Sequence, residues 1–272
     1  MPDHLRRYLC GRRLPHKRDP PVDHRHLRRH GGRTRRRRLS EENRIVKIAG
    51  FEKLSLVDYD GYTACTVFTP GCNLRCPFCQ NAALLGSAEY FIPEEEIFAH
   101  LKRRKGLIDA ICISGGEPTL FSDLPDFIRQ VRSYGVRVKL DTNGTNPDML
   151  GHLLAENLLD YVAMDIKNAP AKYDLTAGIA VDFSKIEQSI ALLKNAQIDY
   201  EFRTTVVAEF HTEEDIREIC RLIDGAPAYF LQQFRDRDTN LQDGLHAHDE
   251  ETFKRFGNIA RPHFKRFGLR GL

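Results

Sequence analysis

From residue 44 onward, the sequence alternates short apolar runs with longer amphipathic stretches. The apolar runs, rich in β-branched and aromatic residues, occupy 63–68, 109–114, 136–140, 161–166, 200–207 and 229–234. Short strands that alternate with helices favour a parallel sheet joined by right-handed crossovers. The chain is therefore predicted to be an α/β protein in which 44–272 form one domain of six βα units. We favour a partial (β/α)6 barrel, with a doubly wound open sheet as the alternative.

The stretches between these strands, and the two ends of the domain, complete the pattern. Amphipathic helices are predicted at 93–105, 124–135, 146–157, 183–196, 212–224 and 249–260. The apolar segments 45–50 and 53–61 are expected to form a hairpin-like lead-in, and 263–269 a final strand. No internal repeat and no second domain is indicated.

The first 43 residues differ in composition from the rest of the chain. They carry 14 Lys and Arg against 5 Asp and Glu, whereas 44–272 carry 27 against 33. Because 1–43 lack apolar periodicity, they are predicted to be a disordered Arg-rich extension. A dispensable or mis-started extension, a nucleic-acid-binding arm and an organelle transit peptide remain open for it. Nucleic acid is an unlikely partner of the mildly acidic domain itself.

The apolar content excludes a membrane protein. No uninterrupted run of 18 apolar residues occurs, and the basic N-terminus has no apolar segment of the kind found in signal peptides. The chain is therefore expected to be cytoplasmic, with reduced thiols. Three of its seven cysteines fall within eight residues, which indicates a metal site rather than a disulfide framework.

Those three cysteines are Cys72, Cys76 and Cys79, in a CxxxCxxC pattern that begins four residues after the first predicted strand. Three thiolates on one loop can bind three irons of a [4Fe–4S] cubane and leave the fourth iron open. The alternative is structural zinc, with Cys65 or a histidine as the fourth ligand. The position favours catalysis, since α/β barrels place their chemistry at the carboxyl ends of the strands.

Polar segments follow the next strands at the same level. Gly115-Gly116-Glu117 could be a ligand-binding loop or a simple turn. The segment 141–144 has the form of an Asn-Gly turn. Asp165 and Lys167 could act on a ligand or form a partly buried ion pair.

The cysteine motif, with the aromatic Phe78 before its last cysteine, resembles that of the radical S-adenosylmethionine (SAM) superfamily, and the resemblance extends over nearly all of the chain after residue 50. It implies that SAM chelates the open iron and is reductively cleaved there, with Phe78 near the adenine. The Gly-Gly-Glu segment resembles the family motif that binds the methionyl amino group, which implies this role for Gly115, Gly116 and Glu117.

Within the superfamily, the segments after strands three to six resemble those of glycyl-radical-enzyme activating enzymes. This resemblance places Asp141 and Asn143 in the SAM pocket. It implies that Asp165 and Lys167 support SAM and the radical step and that Arg203 approaches the SAM ribose or carboxylate, so all three are assigned as catalytic.

Two positions near the end of the barrel are less well defined by the resemblance. Gln233 stands near the level at which pyruvate formate-lyase activase has a histidine, and is assigned to cofactor binding. His211 is expected to be a solvated loop residue.

The segments 50–59, 68–81 and 269–271 are similar to the activating proteins of anaerobic ribonucleoside-triphosphate reductase. The implied reaction removes an α-hydrogen from a glycine of that partner, with an electron from flavodoxin or ferredoxin. Two other functions remain open, namely a radical SAM enzyme that modifies RNA or a small metabolite, and a non-catalytic zinc-binding protein.

Overall fold

The computed structural model describes residues 46–86, 90–237 and 239–272. Its eight strands are β1 Gly50–Ser55, β2 Ala64–Thr69, β3 Ala110–Gly115, β4 Arg137–Thr142, β5 Tyr161–Asp165, β6 Asp199–Val206, β7 Ala228–Gln233 and β8 Arg266–Arg270. Each of the six predicted central strands is present within one or two residues of its expected bounds, and the predicted final strand is β8. The expected Arg-rich extension, 1–43, lies outside the described residues.

The eight strands form one sheet in the order of the chain, from β1 to β8. β1 pairs antiparallel with β2, and every later neighbour pair is parallel. A doubly wound sheet reverses its strand order at a switch point, and no reversal occurs here. Successive right-handed crossovers in one direction place the helices on one face, which gives the curled (β/α)6 arrangement flanked by β1 and β8.

The helices that connect the strands are α1 Glu94–Arg103, α2 Leu124–Arg132, α3 Pro147–Ala155, α4 Tyr173–Ala177, α5 Phe183–Asn195, α6 Glu213–Leu222 and α7 Glu250–Ala260. Several begin at capping side chains: Asn146 accepts from Met149 N–H, and Thr212 and Asp215 cap α6 reciprocally. The short helix α4 was not predicted. None of the helices in the described ranges has both the length and the apolar character needed to span a bilayer.

The lead-in differs from the prediction. The two segments at 45–50 and 53–61 do not pair with each other; a single strand, β1, spans parts of both and pairs with β2. Pairing with β2 places β1 beside the fully buried Cys65 and Val67 of the sheet core. The first strand therefore pairs antiparallel with β2, and the predicted hairpin between 45–50 and 53–61 does not form.

Candidate functional site

A cavity of about 250 Å³ lies at the carboxyl ends of strands β2 to β7. It brings together all but two of the sequence-predicted site residues: Cys72, Cys76, Phe78, Cys79, Gly115, Gly116, Asp141, Asn143, Asp165, Lys167 and Arg203. The exceptions, Glu117 and Gln233, do not line it. This convergence follows from the parallel strands, whose carboxyl ends meet at one rim.

The cysteine loop is shaped by its own backbone. Leu74 N–H points at Cys72 Sγ at 3.3 Å, and Cys79 N–H donates to Cys76 O at 3.0 Å. Burial raises the pKa of the Cys76 thiol to about 11 against the opposing effect of Lys167, and it also raises the pKa of Cys72. Metal ions bind the thiolate form and release its proton, so these thiols need a strongly electropositive partner to ionise.

The geometry bears on the zinc alternative as well. In the described part of the chain, no three His, Cys, Asp or Glu side chains converge to hold one metal ion. Cys65, the proposed fourth ligand, is fully buried within β2. A [4Fe–4S] cubane does not require three ligands around one metal ion, because each thiolate binds a different iron.

A brace that the sequence analysis missed holds this loop from the side of α4. Arg75 N–H donates to Ala177 O at 2.8 Å. Gly178 follows with φ +70°, and a Cβ there would lie 2.0 Å from Arg75 O. A glycine after a short helix is a common end signal, but nothing in the sequence indicates that this one touches the cysteine loop.

Gly115 and Gly116 allow the loop after β3 to lie directly against the loop after β2. A Cβ at Gly116 would lie 1.8 Å from Gly71 O, and one at Gly115 would lie 2.4 Å from Thr69 N and O. The contact is closed by hydrogen bonds from Gly116 N–H to Thr69 O and from Glu117 N–H to Gly71 O, both 2.9 Å. Because these two glycines have no side chains, the backbone of the loop after β3 contacts the backbone of the loop after β2 at the wall of the cavity.

Glu117 lies beneath that wall, with no exposed surface. Its Oε1 accepts from Thr119 N–H at 3.1 Å, Thr119 Oγ1 at 2.6 Å and Thr142 Oγ1 at 2.8 Å; its Oε2 accepts from Asn143 N–H at 2.6 Å. Burial raises the pKa of Glu117, and these donors oppose the rise. The carboxylate thus ties the loop after β3 to the loop after β4 from below the cavity.

Asn143 connects this assembly back to the cysteines. Its Nδ2 donates to Asn73 Oδ1 at 3.0 Å and lies 3.7 Å from Cys72 Sγ. Its Oδ1 accepts from Thr145 N–H and Oγ1. The loops after β2, β3 and β4 form one hydrogen-bonded unit.

The strands β4, β5 and β6 contribute a chain of alternating charges. Arg203 lies between two carboxylates, with Nε 2.9 Å from Asp165 Oδ1 and Nη1 3.4 Å from Asp141 Oδ2. Each carboxylate has a second cation, Lys167 at 3.0 Å from Asp165 and Lys139 at 3.0 Å from Asp141. The cavity therefore presents both signs of charge, which suits a zwitterionic ligand.

The charge states follow from the pairing. Burial alone would raise the pKa of Asp165, but Arg203 and Lys167 outweigh it and lower the pKa to about 2. Burial would likewise lower the pKa of Lys167, yet Asp165 outweighs it and the pKa rises. Both side chains are thus ionised at neutral pH.

Gln233 does not line the cofactor cavity to which the resemblance assigns it. Its neighbour Gln232 lines that cavity. Gln233 Nε2 instead donates to His248 O at 2.6 Å. The prediction that His211 is solvated is wrong: it is 1% exposed, with Nε2 2.9 Å from Lys167 O and Nδ1 accepting from Val207 N–H.

His211 therefore supports the backbone next to Lys167 from behind the cavity. Burial lowers its pKa to about 4, so the ring is neutral at neutral pH. A lone histidine after a strand gives no sequence signal for such a role.

The radical SAM superfamily profile matches residues 66–223, more than half of the chain. A candidate glycyl-radical enzyme activating enzyme of Methanocaldococcus jannaschii is 33% identical over 230 residues, which cover 82% of this chain and 95% of that protein. A Pyrococcus horikoshii protein assigned as a GTP 3′,8-cyclase is 32% identical over 130 residues, which cover 47% of this chain and 40% of that protein.

Among solved structures, SuiB of Streptococcus suis bound to its precursor peptide SuiA superposes with a TM-score of 0.60 at 14% identity. The match covers 74% of this chain and 47% of SuiB. At this identity the likeness concerns the fold alone. This chain thus spans less than half of the cyclase and of SuiB, but nearly all of the M. jannaschii protein.

Proposed function

This chain belongs to the radical SAM superfamily, and on that basis we propose that it activates a partner enzyme by installing a glycyl radical. As a radical SAM enzyme, it uses a [4Fe–4S] cluster and S-adenosylmethionine as cofactors. When bound, these two groups supply a carbon radical that abstracts hydrogen.

The residues at the cavity fit both cofactors. The three thiols of Cys72, Cys76 and Cys79 line one wall, and soft anionic sulfur is the ligand that iron–sulfur clusters require. SAM carries an ammonium, a carboxylate and a sulfonium, and the same cavity offers both carboxylates and cations. Asp165 and Arg203 are the charged side chains that we assign to orienting it.

The other residues have supporting roles. Gly115 and Gly116 form a wall without side chains, against which a ligand can approach the backbone. Phe78 is 4% exposed and offers an apolar surface at the same cavity. Glu117, which the resemblance had assigned to direct SAM contact, acts in this proposal as a clamp that holds the wall in place.

The observation that carries the proposal is the match in length with the M. jannaschii protein, nearly all of which aligns with this chain. The relatives with other named reactions align over only part of their length.

The partner we propose is the anaerobic ribonucleoside-triphosphate reductase. One electron enters per turnover, from a flavodoxin or ferredoxin. With both cofactors bound, the reaction would consume one SAM for each hydrogen atom removed from the glycine Cα, and its products would be methionine, 5′-deoxyadenosine and a glycyl radical. The need for low-potential electrons favours a cytoplasmic location.

The test is anaerobic co-incubation of the reconstituted protein with the reductase, SAM and reductant. A glycyl doublet in the paramagnetic resonance spectrum is the expected result. If the reductase shows no glycyl radical signal while 5′-deoxyadenosine still accumulates, this partner is wrong. Modification of RNA or of a small metabolite under the same conditions would instead favour the alternative reactions.

A further inference from the structure

A second recess, of about 200 Å³, opens beside the cofactor cavity. It shares three side chains with that cavity, those of Gln80, Thr205 and Gln232. The remaining lining residues are Gln233, Arg235, Arg237, Arg270 and Gly271. The recess is therefore continuous with the site of the chemistry, on the side of β7 and β8.

The recess is strongly basic although the domain around it is not. Three arginines line it, and among the described residues no acidic side chain does. Arg270 is held in place, with Nη1 2.8 Å from Glu201 Oε1 and its guanidinium 3.7 Å from the centroid of the Phe230 ring. Arg235 and Arg237 make no ion pair with any described residue, so their charge is available to a ligand.

Two arginines reach the recess from the segment that follows β7. Arg235 and Arg237 are separated by Asp236, which does not line the recess. Arg235 is exposed and Arg237 half-buried.

We propose that this arginine recess binds an acidic segment of the protein substrate and thereby brings the neighbouring glycine to the cavity. The inference rests on the proposed function and adds the chemistry by which the partner is recognised. Arginine forms paired, charge-assisted hydrogen bonds with carboxylates. A carboxylate held here would lie beside the reactive centre, since the two spaces share a wall.

The lining favours a polypeptide over RNA. Single-stranded RNA is bound by aromatic side chains that stack on its bases, and no aromatic residue in the described part of the chain lines the recess. The amides of Gln80 and Gln232 match the donors and acceptors of a peptide backbone. Gln233 contributes less, because its Nε2 already donates to His248 O.

The experiment measures binding to the reconstituted protein with SAM and without reductant. Two peptides that carry fluorescein on the N-terminal amine are compared by anisotropy, fluorescein-EEAAGAAEE-amide and its uncharged match fluorescein-QQAAGAAQQ-amide. We expect the glutamate peptide to bind about tenfold more tightly, and the preference to shrink as salt is raised. An oligouridylate of nine nucleotides is the third probe.

The variant Arg235→Gln/Arg237→Gln should bind the glutamate peptide about fivefold to tenfold more weakly. The matched control Arg103→Gln/Arg104→Gln removes two exposed arginines at the end of α1 and should bind it unchanged. Thermal unfolding of both variants checks that the fold is intact.

Equal affinity for the two peptides, no binding of either, or equal losses in both variants would overturn the recess as a carboxylate site. Tighter binding of the oligouridylate than of the glutamate peptide would overturn the choice of a protein ligand. These outcomes are independent of the glycyl doublet, which alone decides the proposed function.

Discussion

The loops after β2 and β3 are held together in a different way from the ends of β4, β5 and β6. In the first group, backbone lies against backbone, and a Cβ at Gly116 would sit 1.8 Å from Gly71 O. In the second group, charged side chains make the contacts, as in the 2.9 Å pair of Arg203 and Asp165. Close backbone approach admits glycine only, whereas an ion pair can be built from several residue types.

In the proposed function, this contrast separates two tasks. The first group holds the cysteines and the glycine wall, which we assign to the cofactors. The second group adjoins the arginine recess, which shares Thr205 with the cavity and which we propose binds the substrate.

Adding one methyl group at Gly116 should have the largest effect. Gly116→Ala would force the two loops apart, and we expect a loss of about 3 kcal/mol or more in the free energy of unfolding, together with poor iron retention. Urea unfolding and iron analysis measure both. Gly86→Ala is the control, because a Cβ there meets nothing within 4 Å. Similar behaviour of the two variants would show that the close approach is not required.

Glu117→Gln should come next, with a loss of about 2 kcal/mol. Each carboxylate oxygen accepts a backbone N–H, from Thr119 or from Asn143, so the new NH₂ group must face a donor in either orientation. The exposed Glu187→Gln on α5 should change stability little. A Glu117→Gln protein of full stability but weak SAM affinity would restore direct SAM binding as the role of this carboxylate.

His211 makes a contribution to stability that appears only on acidification. Its pKa falls from 6.5 to about 4 on folding, so the unfolded chain binds a proton between these values and the folded chain does not. The contribution is constant above pH 6.5, and on acidification toward pH 4 stability should decrease by about 1.4 kcal/mol per pH unit. His211→Gln should remove that slope, and the exposed His263→Gln should keep it. If the free energies of unfolding of wild type and His211→Gln change with pH in parallel, the His211 ring is solvated.

Arg237→Gln should have the smallest effect on the fold, a change of less than about 0.5 kcal/mol in the free energy of unfolding. Its guanidinium pairs with no described residue, so its removal should weaken ligand binding and leave the stability of the fold almost unchanged. Chemical denaturation of the cofactor-free protein measures this. A loss above about 1 kcal/mol would place Arg237 in the packing of the second group and weaken the contrast between the two groups.

The same contrast shows what the sequence could predict. The alternating strands and helices, the three cysteines and the Gly-Gly-Glu segment were recognisable because local periodicity and steric limits restrict the residue types there. The brace at Gly178, the choice of Gln232 over Gln233 and the buried His211 depend on which surfaces meet after folding. The role of Glu117 needed the structure for the same reason, since its four donors come from three separate positions.

Transfer of deuterium tests the central claim most directly. The reductase is prepared with glycine deuterated at Cα and incubated anaerobically with this enzyme, SAM and reductant, and the 5′-deoxyadenosine formed is analysed by mass spectrometry. A product one mass unit heavier, formed in step with the glycyl radical, is the expected result. Unlabelled 5′-deoxyadenosine, with the reductase glycines unchanged, would contradict it.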